Sequence, residues 1–230
     1  FGHIGDSYGW HITTWNGHHV TIPLPCIVHS STGWHLFMSS ELDHGHIHEG
    51  LFLSEDGKIM ELLPDGSVER PFDISITKNV ASLIFSALLL IILVLSTARW
   101  YKKHDTVKEG APKGFAGLME MMVMMVTDDL IKPSIGEKHY KKYAPYLLTA
   151  FFFIFLSNLL GIVPFFPGGA NVTGNIAVTL VLAMFTFFMI NLFANKHYWK
   201  EILWPDAPIF LKFPLPIMQV IELFGMISKP

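Results

Sequence analysis

Charge is scarce in this sequence. Only 15% of its 230 residues are Asp, Glu, Lys or Arg, against about a quarter in an ordinary soluble domain. Hydrophobic residues make up 51%, and the two figures together point to a membrane. Cysteine is scarcer still: the single Cys26 excludes an intramolecular disulfide and is expected to be an inert thiol. No basic run suggests a nucleic-acid partner, and the net charge of −3 adds little. Also missing are a Gly-rich phosphate loop, a nucleophile–base motif, an H-E-x-x-H metal motif, an internal repeat and a low-complexity segment. No catalytic centre is legible, and no cofactor is expected. The sequence begins at Phe1 with no visible signal peptide, which leads us to expect a processed chain or a fragment.

What is present instead is a set of long apolar runs. Residues 79–98 form the first, without a charge, and Arg99, Lys102 and Lys103 follow at once. Residues 143–163 and 173–195 form two more, also free of Asp, Glu, Lys and Arg. As helices the last two measure about 31 and 34 Å, enough to cross a hydrocarbon core of about 30 Å. The connection between them, residues 164–172, holds two prolines and two adjacent glycines, which stop one helix and turn the chain. This reads as a transmembrane hairpin.

The cytoplasmic connection, 99–142, contains a different apolar stretch at 114–132. Five methionines lie between Met119 and Met125, but Glu120 interrupts the run, and Asp128 and Asp129 close it. It is too short to span and is expected to form an amphipathic helix at the interface or packed on a neighbour. After the hairpin, residues 196–230 begin with a charged, aromatic segment and then turn apolar again from Phe213 to Ile227. That last run reads as the truncated start of a further membrane helix. Arg99, Lys102, Lys103, Lys108, Lys113, Lys132, Lys138, Lys141 and Lys142 crowd one connection, whereas 164–172 has no basic residue. Positive-inside therefore places 99–142 and 196 onward in the cytoplasm, and 1–78 and 164–172 outside.

Residues 1–78 are polar, and the patterning predicts a small β-rich region. His18–Ser30 suggests an edge or irregular strand, and the turn signals Glu55-Asp56-Gly57 and Pro64-Asp65-Gly66 predict a meander over Leu51–Arg70. The expected fold class is an all-α polytopic membrane protein: three complete transmembrane helices, one interfacial helix, the start of another, and the β-rich extracytoplasmic region.

Candidate sites are few. Asn158 and Thr179 stand about 9 Å in from the outer ends of the expected hairpin helices, with Ser157 beside the first and Asn175 a turn further out. Amides in hydrocarbon need a partner or water. Two readings stand: an interhelical hydrogen bond, or a wet polar lining open to the outside. Gln219 and Glu222 lie in the last apolar run, and Glu222 is a carboxylate either in the membrane or at headgroup level. His44, His46 and His48 alternate, as on one side of a strand, and form a weak candidate for zinc or copper beside the plainer reading of a solvated loop.

Several stretches taken in order resemble subunit a of the F-type ATP synthases. FDISITKNVASLIFSALLL is similar to that family's first spanning helix. GLMEMMVMMVTDDLIKPSIGEKHYKKYAPYLLTAFFFIFLSNLLGIVPFF is similar to its amphipathic helix, its IG–K–APY turn and its SNLLG–IP helix end. TGNIAVTLVLA resembles its third span, and IELFGMISKP its lead-in to the next helix. The long N-terminal region resembles the extended version of some bacterial members. The resemblance implies a non-catalytic proton-channel component of a bacterial inner membrane, with two offset half-channels meeting a rotating ring of small proton-binding subunits, and a peripheral-stalk partner. It implies that Asn158 and Asn175 occupy polar positions of the outer half-channel and that Glu222 is the family glutamate of the ion path. It departs at Gly161, where some members carry an aspartate. The essential arginine is expected on the helix after Pro230, so no residue here takes that role. The rival readings are a membrane enzyme with an external histidine metal site and a purely structural membrane anchor.

Overall fold

The computed structural model describes residues 6–15, 18–105, 110–163, 166–203 and 217–228. The side chains at 13–15, 18–19, 44, 201, 203, 217–219, 222, 226 and 227 lie outside the description. The chain divides into two compact units, Phe1–Val172 and Thr173–Pro230.

The first unit opens with eight short strands: β1 (Gly9–Trp15), β2 (His18–Pro23), β3 (Pro25–Ser30), β4 (Gly33–Met38), β5 (Leu51–Leu53), β6 (Ile59–Leu62), β7 (Val68–Glu69) and β8 (Phe72–Asp73). They pair antiparallel as β1-β2, β4-β3-β8 and β5-β6-β7. The expected strand over His18–Ser30 is two strands, parted at Leu24, each in a different sheet. The meander forms as the turn residues dictate. Gly57 and Gly66 take φ of 69° and 83°, a region that costs glycine little, and their amides close the turns onto Ser54 O and Leu63 O.

Alternation in β3 turns Cys26, Val28 and Ser30 inward. Cys26 and Val28 join Tyr8, Phe37, Leu42, Leu51 and Ile59 in one core. A fully buried Val, Leu or Ile contributes about 1.5–3 kcal/mol, so Val28, Leu51 and Ile59 anchor this small region. Its buried polar groups are paired: Tyr8 donates to Asp73, and the Glu61 carboxylate accepts from the amide and hydroxyl of Ser31.

The strand that would align His44, His46 and His48 does not form: Ser39–Gly45 is a 3-10 helix, followed by an isolated bridge between His48 and Leu51. Leu42 explains the change, because the helical turn sinks its side chain into the core, leaving it 3% exposed.

The helices follow. α1 (Lys78–Lys103) has 26 residues, α2 is Gly114–Met125, and a π-helical turn at Val126–Ile131 leads into α3 (Lys132–Ile135). α4 is Tyr140–Ile162. Thr77 caps α1 by accepting from Val80 N. Leu90 of α1, Met119 of α2, and Phe152 and Leu156 of α4 pack into one cluster. The methionine helix is thus packed on neighbours through Ala116 and Met119, while Met121, Met124 and Met125 stay exposed.

In the second unit, α5 (Ile176–Phe193) contains no buried residue. A helix apolar all round with nothing covering it suits a lipid surround. α6 (Lys196–Leu203) lies against α7 (Ile217–Ser228). Three helices, α1, α4 and α5, are long and apolar enough to cross a membrane.

Candidate functional site

Asn158, Asn175 and Thr179 each make a hydrogen bond to the backbone of their own helix. Asn158, exposed and four residues from the end of α4, donates from Nδ2 to Ile154 O at 2.9 Å. Its neighbour Ser157 is 2% exposed. Asn175, expected near the outer end of the third apolar run, is the N-cap of α5, and its Oδ1 accepts from Ala177 N at 2.9 Å. An asparagine there satisfies one of the free amides of the first turn. Thr179 follows in that same first turn, donating to Asn175 O and Ile176 O at 3.3 and 3.2 Å. It therefore stands about 4.5 Å into its helix rather than 9 Å, and Asn158 about 6 Å into its own.

The segment after α4 folds back over that helix end. Val163 N and Gly169 N both donate to Leu160 O, and Ala170 and Val172 are each 1% exposed. A Cβ on Gly161 would meet Ala170 O at 3.2 Å, so this position is a tight one. From the other end of the unit, Trp10 of β1 donates its indole N–H to Gly168 O at 3.1 Å and sets its ring edge-on to Phe166, with centroids 5.1 Å apart. Sequence reasoning missed this contact, since nothing local links positions 158 residues apart.

Gln219 and Glu222 fall three positions apart in α7, a helix of 12 residues; their side chains lie outside the described residues. Of the three weak metal candidates, His44 sits in the 3-10 helix, His46 is exposed, and His48 packs on Phe37 with Nδ1 4.0 Å from Glu41 Oε2. Among the described residues no group of three His, Cys, Asp or Glu is placed to hold a metal ion. A histidine not singled out from sequence is better connected. His35 bonds Glu49 through Nδ1 and both Ser30 Oγ and Thr32 Oγ1, each at 2.8 Å, through Nε2. The network ties the β3–β4 turn to Glu49, the one described non-glycine residue at positive φ, 51°. Cys26 is fully buried, and burial pushes its thiol up to about 11, the Ser75 hydrogen bond offsetting only part of this.

Comparison with known families decides what these helices are. Residues 80–230 match the model described as ATP synthase A chain. The chain belongs to that family. Similar proteins include ATP synthase subunit a 2 of Chlorobaculum tepidum, 38% identical over 182 residues (76% of this chain, 50% of that protein). ATP synthase subunit a of Chloroherpeton thalassium is 41% identical over 186 residues (76% and 53%), and that of Pelodictyon phaeoclathratiforme 40% over 188 (76% and 52%). The chain spans about half the length of the curated relatives it matches. No solved structure matches it. With its long apolar helices, this ATP synthase A chain is a multi-pass membrane protein. A second model, described only as a domain of unknown function, matches residues 1–79. The two matches abut at the first turn of α1, where β-rich region and A chain meet.

Proposed function

We propose that this chain is the ion-conducting stator subunit of a bacterial F-type ATP synthase, set in the inner membrane with residues 1–78 outside. It carries no catalysis of its own. It supplies part of the half-channels through which protons reach a ring of small proton-binding subunits, and it is held by a peripheral-stalk subunit. The observation that carries this reading is the A-chain match, which runs from the first turn of α1 through α7.

In this reading Asn158, Asn175 and Thr179 belong to the outer half-channel, and Glu222, with Gln219 a turn away, to the ion path near the next helix. The three apolar runs hold no Asp, Glu, Lys or Arg between their ends. Moving a charge across about 30 Å of hydrocarbon needs polar or ionisable groups along the way, so Glu222 carries much of the load. The test is Glu222→Gln in the full-length protein, assembled in its complex and sealed in vesicles. ATP-driven proton pumping should slow several-fold at unchanged ATP hydrolysis by the detached catalytic sector. Unchanged pumping would remove Glu222 from the path.

A further inference from the structure

The β4-β3-β8 sheet has an inner and an outer face. Alternation sends Cys26, Val28 and Ser30 of β3 into the core and leaves Pro25, Ile27 and His29 on the other side. Strand pairing sets that outer side in three cross-strand rows. Pro25 stands opposite Met38, Ile27 opposite Leu36, and His29 opposite Trp34. On the other flank His29 pairs with Phe72, while Ile27 O and Pro25 O accept from Ile74 N and Ile76 N. The rings of His29, Trp34 and Phe72 meet edge-on along the last row.

Of these side chains only His29 is polar, yet the face lies open. Leu36 is 76% exposed, Phe72 63% and Trp34 60%. An antiparallel sheet with one face on a core ordinarily turns polar residues outward, and an edge strand such as β4 ordinarily carries charge. Neither holds here. A contiguous exposed apolar patch marks an interaction surface.

The course of the chain indicates what the patch meets. Phe72, Ile74 and Ile76 lead down to α1, which starts at Lys78. From there Val80, Ile84, Leu88 and Ile91 are exposed along one face of the helix. Its opposite side, with Ser82, Ser86 and Leu90, is buried, and Leu90 packs on α4. α1 is long and apolar enough to cross a membrane, so its exposed face meets lipid. The open face of the sheet continues that surface within two residues of the helix. Trp34 is a residue that membrane–water boundaries favour. The patch has no Lys, Arg, Asp or Glu, the groups that steer a protein partner and fix its register.

We propose that the outer face of this sheet rests on the lipid leaflet in which α1 begins, which makes the β-rich region a membrane-surface module joined to a spanning helix. Apolar faces that bind in this way sink about 5–10 Å into the boundary between headgroups and acyl chains. That depth takes in the side chains of the patch and leaves the β4 edge amides among headgroups and water. The contact fixes the depth and tilt of α1 without adding a span. It requires α1 to lie in lipid and is independent of any role of Glu222.

The test uses the full-length protein in its assembled complex, in native membranes. The photoreactive residue p-benzoylphenylalanine replaces Leu36, Leu88 or Val68 in turn. Leu88 is on the exposed face of α1, and Val68 is an exposed apolar residue of β7, in another sheet. Phospholipid adducts, read by mass, should form at 88 and at 36, and about fivefold or more fewer at 68. Adducts at 36 to another protein, or to a second copy of this chain, would overturn the proposal, as would equal lipid yields at 36 and 68. Lipid at 88 without lipid at 36 rejects this inference alone; lipid at neither rejects the membrane placement of α1 as well. If a variant fails to assemble, the unmodified complex is placed in vesicles of phosphatidylethanolamine and phosphatidylglycerol containing a phospholipid with a diazirine at the head end of its acyl chain. Label should enter Trp34 and Leu36 about fivefold or more in excess of Val68; equal labelling would again overturn the proposal.

Discussion

The indole N–H of Trp10 donates to the carbonyl of Gly168, tying the first strand to the segment that follows α4. The bond is buried, and the Trp10 ring also packs on Phe166. Trp10→Phe keeps most of the packing and removes the donor, leaving a buried carbonyl unpaired. We expect a loss of about 1–3 kcal/mol, seen as faster proteolytic cutting within residues 1–79 of the full chain. Unchanged cutting rates would mean that ring packing alone holds the contact.

Gly168 is constrained from the other side. A Cβ there would press on the backbone oxygens of Val163 and Leu160, atoms that cannot swing aside as a side-chain tip can. Gly168→Ala should therefore destabilise the chain by about 1–3 kcal/mol, whereas Gly57→Ala, with open space around it but a φ of 69°, should cost less. Thermal unfolding in detergent ranks the two, and the reverse order would contradict this geometry.

Cys26 sets an alkaline limit on the β-rich region. Its thiol is raised to about 11 by burial, and Tyr8 is raised too, first by burial and then by its bond to Asp73. A raised pKa means the folded state holds its proton longer than the unfolded state. The stabilisation is complete below the unfolded thiol value of 9.0 and is lost as pH climbs toward 11. Resistance to denaturant should fall across that window, less steeply in Cys26→Ala. At pH 8 the thiol should react with a water-soluble disulfide reagent only after unfolding; prompt reaction in the native protein would contradict its burial.

Asn175 has a capping role separable from any role in ion flow. Asn175→Ala removes the acceptor for Ala177 N and should cost about 0.5–2 kcal/mol of helix stability. Amide exchange at Ala177 should quicken about tenfold, the factor that 1.4 kcal/mol represents. Asn175→Ser keeps a capping oxygen and should keep slow exchange, so a change in proton pumping then reports on the amide itself. Slow exchange with lost pumping would show that the amide serves the path and not only the cap.

The apolar runs made the helices legible, because a long charge-free stretch has few other structures open to it. Their ends were less so. α4 starts at Tyr140 rather than 143 because Lys141 and Lys142 are good helix formers that also suit a helix end at an interface. α5 starts at Ile176 because Asn175 caps it. The turns of the meander could be read from Gly57 and Gly66, while the alternating histidines misled: their spacing fits a strand, but burying Leu42 called for a helical turn. Ser86 and Ser96 look alike in the sequence. Only the packing of α4 on α1 distinguishes the buried hydroxyl of Ser86 from the exposed one of Ser96, which donates to Leu93 O of its own helix.

The border between the two family matches has a consequence for how such a protein is assembled from parts. Lys78 N donates to Ser7 O, and Asn79 N donates to Asp6 Oδ1, so amides at the head of the first long helix are terminated by residues more than seventy positions upstream. The joint is a shared surface and not a tether. Transplanting residues 80–230 onto another protein's leader would strip that helix of its end caps, unless the new leader brought acceptors of its own. The β-rich region and the head of the first long helix thus share a surface, and a swap at their border should fail wherever the new leader lacks acceptors in the place of Asp6 and Ser7.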